Sequence, residues 1–202
     1  MTGAARAFLD LSVTGRRLAV AGLALVFAWS LAPAAPGAQG PRAPLVQLQA
    51  GLAAAPDDAA LARLIADCFD LRRTAHAILA GLPGADAQAE ARLAAALGRR
   101  LQRELRRRPP LPPTMTWIED RVLGPGDWLV LTRIADPQGD AQVLSWRVRA
   151  GEGGARIVDL LRDGVSGMRA RRAEFASLVR SSGLEAALVA EETAVLEGAA
   201  RP

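Results

Sequence analysis

The chain of 202 residues has no lysine, no tyrosine, one histidine and one cysteine. These scarcities exclude much chemistry. A Cys/His zinc site needs about four ligands, so a zinc finger or ribbon is excluded. A single cysteine cannot close an internal disulfide. Cys68 and His76 fall on one expected helix. Eight residues at ~1.5 Å each set them about 12 Å apart along its axis, too far for a thiol–imidazole dyad. The expected complement is therefore no metal, no cofactor and no catalytic residue.

The remaining catalytic options are thin. Glu119–Asp120 and Asp159 with Asp163 supply carboxylates. Paired carboxylates act as acid and base only where burial separates their pKa values. The first pair sits in a polar stretch and Asp163 in a turn, so both read as surface groups. Ser166 in "GVSG" has a superficial likeness to a nucleophile elbow. That motif needs G-x-S-x-G and histidine and acid partners. Here the second glycine comes one place early and the only histidine lies on an N-terminal helix. Ser166 reads more simply as the N-cap of the helix after it.

What the chain does have is apolar. Half of its residues are hydrophobic, so a globular core is expected. Arg16 and Arg17 precede an uncharged run from Leu18 to Leu31, then small residues follow. This is the pattern of a secretory signal. The run is shorter than the ~20 residues that span a bilayer. We assign residues 1–38 to a signal peptide and residues 39–202 to a single α+β domain, exported to the periplasm. Cleavage after Ala34 or Ala38 both fit, Sec and twin-arginine routes stay open, and Val13 is an alternative start. Removing three arginines and one aspartate lowers the net charge from +4 to +2.

Within the mature region, Leu45, Leu48 and Leu52 suggest a short helix. "PDD" at 56–58 is an N-cap signal, and Leu61, Leu64, Ile65, Cys68 and Phe69 recur at helical spacing. The stripe continues through Ala75, Ile78, Leu79 and Leu82, with a kink near Asp70, until Pro83–Gly84. A helix over about 86–107 separates its faces cleanly. Leu93, Leu97, Leu101 and Leu105 share one arc, and Arg92, Arg99, Arg100, Arg103, Arg106 and Arg107 the other. Then the period changes. "DWLVLTRI" (127–134), "AQVLSWRV" (141–148) and "ARIVDLL" (155–161) predict a three-stranded antiparallel meander. Trp117, Ile118 and Val122 suggest a fourth, edge strand. Helices return over about 166–181 and 184–197. The fold class is α+β: N-terminal helices, a three- to four-stranded antiparallel sheet, and C-terminal helices.

Candidate lining residues follow from the alternation. Trp128 and Val130 share one strand face, Leu144 and Trp146 another, and Ile157 and Leu161 a third. Val165, Met168, Phe175 and Leu178 extend the lining into the helix that follows. The arginine arc reads either as a solvated face or as a contact for anionic head groups or an acidic partner. Nucleic acid is excluded as a partner, since the chain is exported and its arginines lack interleaved aromatics for base stacking.

Residues 156–175 carry a resemblance. Arg156, Ile157, Asp159, Leu160, Asp163, Gly164, Val165, Ser166, Arg172 and Phe175 fall in register with the C-terminal signature of the Mla-type (toluene-tolerance) periplasmic phospholipid-binding proteins, including their hopanoid-associated branch. Phe69–Asp70 is similar to the family's Phe-Asp helix. The departures are Ala155 for a tryptophan, Val158 for a tyrosine, Gly167 for a leucine and Arg171 for an aromatic. The middle helices are shortened to "AGLPGADAQAEARL". The resemblance implies a carrier that hides lipid chains under a curved sheet, the N- and C-terminal helices enclosing an apolar cavity. It would shuttle phospholipid or hopanoid between an outer-membrane lipoprotein complex and an inner-membrane ABC transporter complex. Arg172, with Arg99, Arg103 and Arg106, would meet the head group or a partner. The alternative is a non-enzymatic interaction domain with a filled core, docking through the arginine helix.

Overall fold

The structure, a computed structural model, describes residues 40–54, 56–107, 115–135 and 141–197. The expected signal segment lies outside the described residues. Among these residues six helices and five strands follow in order: α1 (Ala43–Ala53), α2 (Asp58–Cys68), α3 (Leu71–Leu79), α4 (Ala87–Arg107), β1 (Met115–Gly124), β2 (Asp127–Ala135), β3 (Ala141–Gly151), β4 (Gly154–Arg162), β5 (Val165–Ser166), α5 (Gly167–Ser182) and α6 (Leu184–Glu197). The strands form one sheet in sequence order, each antiparallel to its neighbours. The architecture is α+β, as the change of period predicts. Among the described residues, no helix is long and apolar enough to cross a membrane.

Local chemistry sets the helix starts. Asp57 caps α2 by accepting from the Ala60 N–H at 2.7 Å, and Asp70 caps α3 by accepting from Arg73 at 3.0 Å. The kink expected near Asp70 is a full break, with Phe69 and Asp70 outside both helices. At the start of the domain, Gly51 lets α1 cross α2 closely. A Cβ there would stand 2.5 Å from the Leu64 side chain.

The sheet gains one strand over the expected meander. Asp163 and Gly164 turn with φ of 51° and 76°, the left-handed pair of a tight two-residue hairpin. The two residues after them pair back onto β4. The stretch read as turn and cap is therefore a short fifth strand that leads directly into α5.

Apolar packing divides into two clusters. One lies between the sheet and α1, α2 and the far end of α4. It includes Leu45, Leu48, Leu61, Ile65, Val130, Leu144, Trp146, Val148 and Ile157. The other lies among α3, α4, α5 and α6, where Ile78, Leu79, Leu93, Phe175, Val179 and Leu188 are buried together. Helix α4 serves both. Leu93 and Leu97 pack into the helical cluster, while Leu101 and Leu105 pack against the first cluster.

Candidate functional site

The junction of β4 with α5 is built around one carboxylate. Asp159 is buried. It accepts hydrogen bonds from the Ser166 hydroxyl at 2.5 Å and from the Leu160 and Met168 N–H groups at 2.9 Å each. Ser166 accepts in turn from the Arg169 N–H at 3.0 Å. Two otherwise orphaned amides of the first turn of α5 are thus satisfied, one by each side chain. Gly167 makes the junction possible. A Cβ there would sit 3.1 Å from the Leu160 carbonyl oxygen. Ser166 is the N-cap that its position suggests. Its hydroxyl faces an aspartate and a backbone amide, not a histidine.

The Phe69–Asp70 segment meets the same strand two residues earlier. A β-bulge separates the pairs Arg147↔Asp159 and Val148↔Ile157. The bulge turns carbonyls of β4 away from β3. The Asp70 N–H donates to the Ile157 carbonyl at 2.9 Å, and the Thr74 hydroxyl donates to that of Val158 at 3.0 Å. Phe69 forms a parallel bridge to Ile157. The two stretches that carried the family resemblance, 90 residues apart in the chain, therefore dock on adjacent residues of one strand.

The bulge corrects one expected lining residue. Trp146 pairs with Leu160, and Ser145 with Leu161. Leu161 therefore lies on the opposite sheet face from Val130, Leu144, Trp146 and Ile157, and Leu160 packs against the sheet cluster in its place. One extra residue in a strand reverses every face beyond it. Helix α5 brings a second correction. Phe175 and Val179 are buried and Met168 packs beside them, but Leu178 is 39% exposed. At 3.6 residues per turn, Leu178 points about 60° away from Phe175, at the margin of that stripe. Val165 is 64% exposed, because its short strand turns Ser166 inward to Asp159 and Val165 outward. Trp128 packs half-buried at the edge of the sheet cluster. The Trp146 indole N–H donates to the Thr132 hydroxyl at 2.9 Å, so a strand neighbour satisfies it internally.

The arginine arc of α4 is largely committed to neighbouring helices. Arg92 holds Glu185 at 2.7 Å and Glu192 at 2.9 Å, and Arg106 holds Asp58 at 2.9 Å. Arg99 is exposed, and its charge helps hold the Glu192 carboxyl below the usual range. Arg103 is half-buried on the same helix. Arg172, expected at a head group, donates to the Ala80 carbonyl at 2.8 Å while remaining exposed. It closes the C-terminal end of α3 against α5, and other donors of its five-donor fork face outward. Arg171, next to it, is only 18% exposed in its side chain and pairs with Glu174 and with the buried Glu191. No pattern in the sequence marked this pair. Only the spacing of Glu191 on α6 against Arg171 on α5 could have suggested it.

The two apolar clusters meet at a seam. Leu71 packs against both, and a Cβ on Gly98 of α4 would stand 3.1 Å from its Cδ1. Half-buried Leu97 and Leu101 flank Gly98 on α4, and Leu160 and Met168 flank the β4–α5 junction. Around it the titratable chemistry is quiet. Burial pushes the Cys68 thiol up to about 12, so it stays protonated at neutral pH. No cluster of histidine, cysteine and carboxylate groups suited to a metal occurs among the described residues.

Comparison with known proteins follows the same lines. Residues 112–190 match the family model described as "MlaC protein". This stretch includes the whole sheet, α5 and the first half of α6. A phospholipid-binding protein from Ralstonia solanacearum, solved in complex with a phospholipid, shares the fold. Its TM-score is 0.60 at 14% sequence identity, covering 76% of this chain and 94% of that one. No curated protein matches the chain. The family match covers the sheet, α5 and half of α6, and the solved structure shows the same fold.

Proposed function

We propose that this member of the Mla-type group is a periplasmic lipid carrier. It takes a phospholipid or a hopanoid between an outer-membrane lipoprotein complex and an inner-membrane ABC transporter complex. The observation that carries the proposal is the seam between the two apolar clusters, lined by aliphatic side chains and bordered by the one junction that matches the family signature. The expected leader, the family match and the phospholipid in the Ralstonia relative's structure support it. A carrier must hide acyl chains from water, at ~0.8 kcal/mol for each buried CH₂, or about 13 kcal/mol for a chain of about sixteen carbons. That task needs an apolar interior and no reacting group.

The test is direct. The purified protein is extracted with organic solvent and the extract analysed by mass spectrometry. Near-stoichiometric lipid is expected, and its class distinguishes phospholipid from hopanoid. Absence of lipid, together with no transfer from vesicles, would overturn the carrier reading in favour of a filled-core interaction domain. Arg172→Ala tests the head-group role. Lipid retention should fall several-fold while the melting temperature changes by no more than ~4 °C, because an exposed hydrogen bond contributes only about 1 kcal/mol. A melting shift with unchanged retention would make Arg172 an anchor for α3 and nothing more.

A further inference from the structure

Helix α6 is unusual for a surface helix. Leucine, alanine and valine occur around its whole circumference, from Leu184 to Val189 and beyond. A helix apolar all round is ordinarily buried. Here Ala187 and Leu188 are buried, Leu184 is half-buried and Val189 is 47% exposed. It is held by charge as well. Glu185 and Glu192 share Arg92 of α4. Glu191 pairs with Arg171 of α5 and lies 3.7 Å from Arg100 of α4. Glu191 is 4% exposed. Its Oε1 has no hydrogen-bond partner among the described residues. Three glutamates on one side of α6 thus face three arginines on two other helices.

We infer that α6 is an electrostatic latch which an anionic lipid surface opens, phosphate groups displacing Glu185, Glu192 and Glu191 from Arg92, Arg100 and Arg171. Phosphate offers guanidinium the same bidentate geometry as carboxylate. An anionic bilayer also attracts the arginines and repels the glutamates, so both sides of each pair are driven apart there and nowhere else in solution. Access is graded. Arg92 and Arg100 are 27% and 42% exposed in their side chains, while Arg171 is 18% exposed. The outer pairs yield first and the buried Arg171–Glu191 pair last. Release of α6 uncovers Ala89, Leu93, Phe175 and Val179, the apolar wall that Ala187 and Leu188 cover. That wall then faces the bilayer, which is where a carrier has to open. The latch rests on the carrier reading in this respect.

Titration is consistent with a latch closed in solution. The hydrogen bonds of Glu192 and then Glu185 hold the Arg92 pKa above its ordinary value, and Arg92 holds the Glu192 carboxyl below its own. A carboxylate with a lowered folded pKa contributes its stability above the unfolded value and loses it as the pH falls through the folded one. The latch is therefore closed at neutral pH and weakens in acid, as the pH falls through the Glu192 value.

Hydrogen exchange read by mass spectrometry tests this. The purified protein is mixed at low salt with vesicles of phosphatidylcholine alone or with phosphatidylglycerol added. Amide exchange across residues 184–192 should rise about tenfold or more with the anionic vesicles and return to its resting value at 0.5 M salt, where charges screen within a few ångströms. Phosphatidylcholine alone should leave it unchanged. Glu185→Gln with Glu192→Gln should raise the same exchange several-fold without any vesicle. Unchanged exchange with anionic vesicles, whether or not the protein sediments with them, overturns the latch, as does an unresponsive double variant. Bound lipid is measured on the same sample. Lipid present with α6 exchange unchanged removes the latch and keeps the carrier; exchange that rises in a protein that holds no lipid and transfers none between vesicles keeps the latch and removes the carrier.

Discussion

Replacing Asp159 with alanine should destabilise the protein by about 3 kcal/mol, lowering its melting temperature by roughly 6–12 °C for a domain of this size. The carboxylate accepts three hydrogen bonds at once, from one hydroxyl and two backbone amides. Each is charge-assisted, and removing a buried acceptor leaves its donors unsatisfied. Ser166→Ala should cost less, about 1 kcal/mol, as the loss of an N-cap, since Asp159 keeps its two backbone donors. Calorimetry on the two variants separates the roles. Equal costs would mean that Asp159 is not the hub of the junction. The comparison bears on function because this aspartate, with Ser166, fixes how α5 leaves the sheet and hence where Met168 and Phe175 stand beside the seam.

This junction also shows what a sequence can reveal and where it stops. Helix starts at Asp57 and Asp70, the long α4 and the three central strands all have local causes, namely caps and periods, and these are written in neighbouring residues. The bulge in β4 has no such cause. Ile157, Val158, Asp159, Leu160 and Leu161 alternate poorly, and simple alternation placed Leu161 inward. The extra residue is stabilised by Asp70 and Thr74, which sit almost 90 residues earlier and donate to the displaced carbonyls. Only tertiary contact specifies it. The same holds for the arginine arc of α4. Its separation from the leucines was legible, but a charged face reads identically whether water or a second helix covers it. The acidic residues that answer it, Glu185, Glu191 and Glu192, lie on α6, nearly 100 positions away. The seam at Leu71 was not legible at all, because nothing in a leucine's neighbours says that it borders two cores instead of one.

Arg171→Ala should cost about 3–5 kcal/mol, the loss expected when one partner of a buried ion pair is removed. Glu191 would be left as a nearly buried carboxylate with Arg100 at 3.7 Å as its remaining counter-charge. Burial acts to lower the Arg171 pKa, yet the hydrogen bonds and charges of Glu191 and Glu174 outweigh it and hold the value above the ordinary one. Glu174 is exposed, and Glu174→Ala should cost no more than about 1 kcal/mol. The informative variant is the double replacement Arg171→Met with Glu191→Leu. It removes both charges and fills similar volume with apolar groups, which is often neutral or stabilising for buried pairs. Denaturant unfolding of the two single variants and the double closes a thermodynamic cycle. A coupling of at least ~2 kcal/mol is expected, with the double variant near the wild-type stability. A double variant as unstable as Arg171→Ala would mean that the hydrogen-bonded ion pair itself holds α5 to α6, and that apolar groups of similar volume do not replace it.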